Sequence, residues 1–210
     1  MSDKPTLYGF NGSTYVRTLR MMLMENGIEY DQVHVHVLEG EPRQPEHLAR
    51  HPFGKVPVLD IDGMRLRETD AICRYIDAIG TGPGRLPDDP KTCAKVNEAI
   101  GLIASYGYGA LVGAAGYHLF PDFIGGQNDD ALAACLEDSA KLAGLLMENA
   151  DPWIAGTPDP NLADYFLAPI MFYVSLTPEA DKVLAHAGMA RWWEAMQGVE
   201  SFKATEPDLG

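Results

Sequence analysis

The sequence predicts an α+β protein with two domains, a small α/β domain followed by an all-helical one. Short strand-like runs of apolar residues occur only in the first part of the chain, whereas apolar residues at helical spacing continue to its end. Residues 80–90 are rich in glycine and proline and have the composition of a linker. We therefore predict a first domain at 1–79 and a helical domain at 91–210.

The first three predicted elements form a βαβ unit. Residues 6–10 are predicted to be a short strand. Ser13 is a candidate N-cap for the helix that follows, and Gly27 suits the left-handed position after its last turn. Residues 30–38 alternate between apolar and polar side chains, which indicates a half-buried strand.

Two more strands and a helix complete the first domain in the order ββα. Asp62-Gly63 is a two-residue turn signal between strands predicted at 56–61 and 64–66. A helix with an apolar face is predicted to start near Glu68. The polar stretch 41–49 contains prolines and predicts a short irregular helix.

A proline stands at the start of the third predicted strand, where it removes a hydrogen-bond donor from the sheet. A cis Val56–Pro57 bond would make a tight turn there and expose the N–H and C=O of Val56 to an extended ligand. The helix that begins near Glu68 and Thr69 offers amide groups that favour an anion. These residues together predict a cradle for a small peptide with a carboxylate at one end.

The rest of the chain shows no strand pattern and predicts a bundle of helices. Asn161 and Asp164 have the spacing of a capping box at the start of one helix. The predicted helices cover residues 91–118, 129–149, 165–174, 178–187 and 189–198.

The composition is strongly acidic, with 16 basic residues, 30 acidic residues and a net charge of −14. Nucleic-acid binding depends mainly on Lys and Arg, so we predict no nucleic-acid partner. An anionic membrane surface is disfavoured for the same reason. Any anionic ligand must therefore be held by local groups against the overall charge.

Cysteine usage and the N-terminal sequence predict a reducing, cytoplasmic location. The three cysteines are widely separated and match no disulfide or zinc pattern, so we predict no metal. The first residues lack the apolar core of a signal peptide. Residues 99–120 are uncharged and long enough to span a bilayer, but their many glycines and non-basic flanks favour a buried helix and no membrane contact.

Four short segments, in this order and spacing, resemble those of the cytosolic glutathione transferases. They are Leu7-Tyr8-Gly9 with Ser13 and Arg17, Asn26-Gly27-Ile28-Glu29-Tyr30, Phe53-Gly54-Lys55-Val56-Pro57 with Glu68 and Thr69, and Asn161 with Asp164. The first segment is most similar to the serine-type classes, which are phi, theta and zeta. The chain as a whole resembles a bacterial-type member of these classes. The resemblance implies a thioredoxin-like first domain, a cytoplasmic homodimer, and detoxification by a transferase whose cosubstrate is glutathione.

Ser13 is the predicted catalytic residue, because the serine at this place stabilises glutathione thiolate in the classes it resembles. A thiol with a pKa of about 8.5 is mostly protonated at neutral pH, and a hydroxyl donor at a helix N-terminus stabilises its anion. Ser13 could instead only cap the helix. The hydroxyl would then come from Tyr8, which resembles the tyrosine of the alpha, mu and pi classes, or from Tyr15. No cysteine stands beside Ser13, so a disulfide reductase is not expected.

The resemblance also assigns glutathione contacts to the cradle. The Val56–Pro57 pair would present the Val56 backbone to the cysteinyl part of glutathione. Glu68 would bind the γ-glutamyl amine, and Thr69 the adjacent carboxylate. Arg43 and Lys55 stand where related chains hold the glycyl carboxylate.

The second substrate is predicted to be a small apolar electrophile. In the family its pocket is formed by the first loop and the long helices, which makes Phe10, Tyr106 and Tyr117 candidate contacts. Two different activities would also fit the resemblance: binding of glutathione without turnover, and a glutathione-dependent isomerase or peroxidase reaction.

Overall fold

The computed structural model describes residues 4–208 and divides them into two compact units. One unit contains the chain up to Gly84 together with the last segment from Glu200, and the other is Arg85–Val199. This division differs from the predicted bounds at 1–79, 80–90 and 91–210, because the last segment groups with the first unit. Long-range contacts of that segment, which no sequence period reveals, cause the difference.

The first unit is built on a four-stranded sheet. Its elements are β1 (Thr6–Tyr8), α1 (Thr14–Glu25), β2 (Asp31–Val33), α2 (Pro45–Arg50), β3 (Val58–Ile61), β4 (Met64–Arg67) and α3 (Thr69–Ile79). The strand order is β2-β1-β3-β4, with β1 parallel to β2 and antiparallel to β3, and β3 antiparallel to β4. The predicted βαβ–ββα order is therefore confirmed.

Local hydrogen bonds at the predicted caps and turns set the ends of these elements. The Ser13 hydroxyl accepts a hydrogen bond from the N–H of Val16 at 3.4 Å, and Gly27 follows α1 with a φ of 63°. Asp62 and Gly63 have φ values of 49° and 74°, which suit the twist of a two-residue hairpin. The predictions for α1 and for the hairpin are confirmed.

The second strand is shorter than its alternating pattern predicts. The pattern covers residues 30–38, but β2 is Asp31–Val33, at the edge of the sheet. The N–H of His36 donates to the Glu41 carboxylate at 2.7 Å, and the carbonyl of His36 accepts the N–H of Glu41. These bonds turn the chain away from the sheet. The strand prediction is therefore wrong for the second half of the pattern.

The last helix, α10 (Glu200–Ala204), packs on α1. Arg17 of α1 is buried, and its Nη2 donates to the carbonyl of Phe202 at 2.7 Å. Its guanidinium lies 4.1 Å from the centre of the Phe202 ring, and its Nε donates to Thr205 at 3.4 Å. The sequence predicted a polar tail after Phe202, whereas these contacts hold a short helix against α1.

The second unit is helical throughout its regular structure, as predicted. It contains α4 (Pro90–Leu102), a π-helical segment (Ile103–Gly107), α5 (Tyr108–Leu119), α6 (Asp129–Leu146), α7 (Leu162–Ser175), α8 (Ala180–Val183) and α9 (Ala187–Met196). The helix predicted at 91–118 is continuous but widens at the π-helical segment. There α6 comes so close that a Cβ on Gly107 would lie 2.7 Å from the Leu142 side chain.

Helix α7 begins at the predicted capping box. The side chain of Asn161 accepts the N–H of Ala163 at 3.0 Å, and the Asp164 carboxylate accepts the N–H of Asn161 at 2.8 Å. The indole N–H of Trp192 donates to the same carboxylate at 2.8 Å. Burial raises the pKa of Asp164 to about 7 in spite of these donors. Asp164 thus has the structural role that its spacing predicted.

One helical run in the described part of the chain, Pro90–Leu119, could cross a membrane as judged by its length and composition alone. Half of its most apolar window is buried inside the protein. A core helix of a soluble protein passes the same test.

Candidate active site

The ends of three strands bring the predicted site residues of the first unit to one end of the sheet. In the register, Tyr8 lies opposite Val58, and Val58 lies opposite Arg67. The chain therefore leaves β1, enters β3 and leaves β4 at the same end of the sheet. The site residues in these flanking segments are Ser13, Val56, Pro57, Glu68 and Thr69.

Ser13 is the N-cap of α1, and its side chain is half-buried. Its N–H donates to the carbonyl of Phe10 at 3.1 Å, which closes the turn between β1 and α1. Its hydroxyl oxygen accepts from Val16, and no group among residues 4–208 accepts the hydroxyl hydrogen. Because the first turn of α1 has no acidic residue, the helix N-terminus favours an anion beside this hydroxyl.

Tyr8 has a partner on the sheet. Its hydroxyl donates to Asp60 at 3.2 Å, and the guanidinium of Arg65 donates to the same carboxylate at 2.7 Å and 2.6 Å. The guanidinium of Arg50 lies 4.5 Å from the centre of the Tyr8 ring. The hydrogen bonds from Arg65 hold the pKa of Asp60 below its ordinary value. The Tyr8 hydroxyl is thus part of a charged network.

The loop before β3 has the predicted cis Val56–Pro57 bond. Gly54 has a φ of 59° and approaches Pro42 so closely that a Cβ there would lie 2.7 Å from its carbonyl oxygen. Within the described residues, neither the N–H nor the C=O of Val56 forms a backbone hydrogen bond. An open N–H and C=O can pair with an extended peptide in the manner of an added strand.

Glu68 combines an unusual backbone with an exposed carboxylate. Its φ is 66° and its ψ 114°, and its side chain is 81 % exposed. Such a conformation costs a residue other than glycine on the order of 1–3 kcal/mol and is common at functional sites. Thr69 begins α3, and no side chain caps the first amides of this helix. A carboxylate and a helix N-terminus, one suited to a cation and the other to an anion, therefore lie side by side.

Arg43 and Lys55 are exposed cations beside the loop that contains Gly54. A Cβ on Gly54 would lie 3.4 Å from Cδ of Arg43, and Lys55 is the next residue of this loop. In the part of the chain that the structure describes, neither has an ion-pair partner. Two such cations in a chain of net charge −14 favour a carboxylate ligand.

Comparison with known proteins agrees with this geometry. The family model for “Glutathione S-transferase, N-terminal domain” matches residues 4–78. Glutathione S-transferase PM239X14 from Arabidopsis thaliana is 31 % identical over 198 residues, which cover 90 % of this chain and 89 % of that protein. The chain belongs to the glutathione S-transferase family.

Two further proteins are similar to the chain. A maleylacetoacetate isomerase from Rhizobium meliloti (strain 1021) is 42 % identical over 90 residues, and the chain matches only 42 % of that protein's length. The structure of glutathione S-transferase I from maize, in complex with an atrazine glutathione conjugate, matches with a TM-score of 0.82. It is 25 % identical, and the match covers 96 % of both chains. The predicted thioredoxin-like first domain and helical second domain are thereby confirmed.

The candidate electrophile contacts of this glutathione S-transferase occur in both units. In the first, the Phe10 ring meets His34 edge-on, with 6.3 Å between ring centres. In the second, Tyr106 belongs to the π-helical segment and is 68 % exposed. Tyr117 donates its hydroxyl hydrogen to Asp129 at 2.5 Å, which raises the pKa of Tyr117. Tyr106 is therefore open to a ligand, whereas the hydroxyl of Tyr117 has a partner.

Two histidines that the family motifs did not single out contact the same loop. His47 is fully buried, and its Nε2 lies 2.9 Å from the carbonyl oxygen of Lys55. His51 is also buried, and its Nε2 lies 4.0 Å from Oε1 of Glu68. Their spacing of four residues, which puts both on one side of a helix, is the sequence signal that could have found them.

Two of the three thiols of the protein have a raised pKa, and the described residues contain no metal-binding cluster. No group of three or more His, Cys, Asp or Glu side chains there is arranged to hold a metal ion. Burial raises the pKa of Cys73 well above its ordinary value and also raises that of Cys135. These two thiols are therefore poor sources of thiolate.

Proposed function

We propose that this glutathione transferase converts glutathione to its thiolate at Ser13 and joins it to a small apolar electrophile. The thiol proton passes to solvent, and the sulfur electron pair forms a carbon–sulfur bond. Where the electrophile has a leaving group, that group departs with the electron pair of the bond it breaks. The observation that carries the proposal is that Ser13 caps α1 at the end of the sheet where Val56 and Glu68 also lie.

The available hydrogen of Ser13 is the feature that suits it to a thiolate. Its oxygen is occupied by the N–H of Val16, so the hydroxyl can still donate to a sulfur anion. A hydroxyl donor and a helix N-terminus together lower a thiol pKa by about one to several units. Holding the sulfur near its target adds the effect of proximity.

The peptide of glutathione fits the groups around Ser13. The open N–H and C=O of Val56 would pair with the cysteinyl backbone, as an added strand does. The Glu68 carboxylate would hold the γ-glutamyl ammonium, and the hydroxyl and N–H of Thr69 would hold the carboxylate beside it. The exposed cations Arg43 and Lys55 would hold the glycyl carboxylate at the other end.

The maize structure with a glutathione conjugate supports conjugation as the reaction. The family resemblance provides Phe10 in the first unit, and Tyr106 and Tyr117 in the second, as candidate contacts of an apolar electrophile. We also propose that the protein is a cytoplasmic homodimer, which is typical of the family.

A glutathione-dependent isomerisation is the second candidate, because the relative with 42 % identity over 90 residues is an isomerase. In such a reaction the thiolate adds to a double bond, the bond rotates, and the sulfur leaves again. Glutathione is then regenerated, whereas conjugation consumes it. The amount of free thiol that remains after turnover separates the two reactions.

Retention on immobilised glutathione and turnover of chloro-dinitrobenzene test the proposal together. We expect specific elution by free glutathione and a conjugate that contains one glutathione. Retention without turnover of any electrophile in a panel would indicate a binding protein, and failure of retention would refute the glutathione site. Product analysis with a hydroperoxide tests for peroxidase activity.

A further inference from the structure

The C-terminal end of α2 carries two buried histidines that the proposed chemistry does not use. They are His47, in α2, and His51, the residue that follows the helix. The N–H of His51 donates to the carbonyl of His47 at 2.8 Å, so the two side chains are one helical turn apart. The loop that they contact, residues 52–57, is the one that contains Val56.

His47 holds the loop through the carbonyl of Lys55. The ring is fully buried, and its Nε2 lies 2.9 Å from that oxygen. A carbonyl oxygen can only accept, so Nε2 carries the hydrogen. Nδ1 has no partner among the described residues. An apolar ring would avoid the unpaired Nδ1 but would leave the Lys55 carbonyl without this donor, so the hydrogen bond to Lys55 is what a histidine adds at this position.

His51 holds the other end of the loop through the N–H of Phe53. This N–H donates to Nδ1 of His51 at 3.3 Å, so the neutral ring carries its hydrogen on Nε2. That Nε2 lies 4.0 Å from the Glu68 carboxylate. Burial lowers the pKa of His51, which favours the neutral ring. The same side chain thus contacts the loop and faces the residue proposed to bind the amine.

We propose that His47 and His51 are positioning residues of the glutathione site. They hold the loop by its backbone at Phe53 and at Lys55, on either side of Gly54. The direction of the Val56 N–H and C=O, and hence the pairing with the cysteinyl part of glutathione, depends on this support. The inference rests on the proposed function, because it assumes that glutathione binds at Val56.

Paired substitutions at His47 separate the hydrogen bond from ring packing. His47→Phe keeps the ring volume without the donor, whereas the amide of His47→Gln can still donate to the Lys55 carbonyl. We expect His47→Phe to raise the KM for glutathione roughly tenfold, since it removes the donor that holds the Lys55 carbonyl, and His47→Gln to stay within about threefold of wild type. The kcat at saturating glutathione and the KM for the electrophile should change little in both variants.

Paired substitutions at His51 separate its two contacts. In His51→Asn the side-chain oxygen can still accept the Phe53 N–H, but no group faces Glu68. His51→Leu removes both contacts. The test ligands are glutathione and the same tripeptide without its α-amino group. We expect His51→Asn to weaken binding of glutathione but not of the analogue, and His51→Leu to weaken binding of both.

Thermal unfolding of every variant and direct titration of S-hexylglutathione complete the experiment. Variants that lose stability while their glutathione affinity and KM stay at wild-type values would overturn the inference, because the histidines would then only support the fold. If His47→Phe does not fold, the His51 pair decides by the same measurements. A wild-type protein that binds neither glutathione nor S-hexylglutathione would instead refute the proposed function.

Discussion

Two hydroxyl groups on neighbouring parts of the first unit differ in whether the hydroxyl hydrogen already has an acceptor. The hydroxyl of Ser13, at the start of α1, accepts a backbone N–H and has no acceptor for its own hydrogen among the described residues. The hydroxyl of Tyr8, at the end of β1, donates its hydrogen to Asp60. Arg65 binds the same carboxylate, and Arg50 covers the tyrosine ring.

We infer from this difference that the neighbours of a hydroxyl, more than its residue type, suit it to a thiolate. A tyrosine is the stronger acid in water. However, Tyr8 would have to give up a charge-assisted hydrogen bond, and the carboxylate of Asp60 would repel a sulfur anion. Ser13 has neither disadvantage and lies at a helix N-terminus.

The most severe test of the comparison is removal of the Ser13 hydroxyl. We expect Ser13→Ala to lower kcat for conjugation by roughly 10–1000-fold, the range for loss of one charge-stabilising donor. Ser13→Thr, which keeps a hydroxyl, should retain more activity. Steady-state kinetics and an ultraviolet titration of bound thiolate measure both effects, and the pKa of bound glutathione should rise in Ser13→Ala.

Helix capping requires its own control in this experiment. Ser13→Gly also removes the hydroxyl, but glycine is a better N-cap than alanine. If activity follows the hydroxyl, the glycine and alanine variants should be equally impaired although their stabilities differ. Unchanged kcat in Ser13→Ala together with a large loss in Tyr8→Phe would reverse the assignment.

The second test asks whether glutathione binds at the same end of the sheet as Ser13. Glu68→Gln removes the charge proposed to hold the glutathione ammonium, and we expect the KM for glutathione to rise by roughly 10–100-fold. Asp70→Asn is the matched control, because Asp70 lies in the same helical turn but is paired with Arg74 at 2.9 Å. Equal effects of the two substitutions would show that only the general charge of this region matters.

The sequence predicted those parts of the fold and site that depend on local hydrogen bonds. The Ser13 cap, the Asp62-Gly63 turn and the Asn161 capping box each involve residues within a few positions of one another. The cis Val56–Pro57 bond was predictable because a proline at the start of a strand needs a structural reason.

Contacts between distant segments were not predictable from spacing. The alternation after Val33 resembles a strand, but the backbone of His36 is bound by Glu41. The buried guanidinium of Arg17 binds the carbonyl of Phe202, far along the chain. The same limit applies to Tyr8, which looked like an available hydroxyl because its partner Asp60 belongs to another strand.

The third test removes the Tyr8 hydroxyl. We expect Tyr8→Phe to keep kcat and the KM for glutathione within about twofold, because the lost hydrogen bond stabilises the sheet and not the thiolate. The free energy of unfolding should fall by about 0.5–1.5 kcal/mol, the usual contribution of one hydrogen bond. Denaturant unfolding measures this change, and a kinetic defect without loss of stability would contradict the structural role.

The smallest expected effect concerns pH and separates the two hydroxyl environments by the stability of the fold. Because the folded pKa of Asp60 lies below its ordinary value of 3.8, its ion pair stabilises the fold above that pH, and the contribution is lost as the pH falls through the lower folded pKa. The group is partly exposed, so the contribution should be below about 1 kcal/mol. Asp60→Asn should flatten the stability profile below this pH, whereas Ser13→Ala should leave its slope unchanged. An equal slope in wild type and Asp60→Asn would mean that solvent screens the network, and the case against Tyr8 would then rest on its hydrogen bond alone.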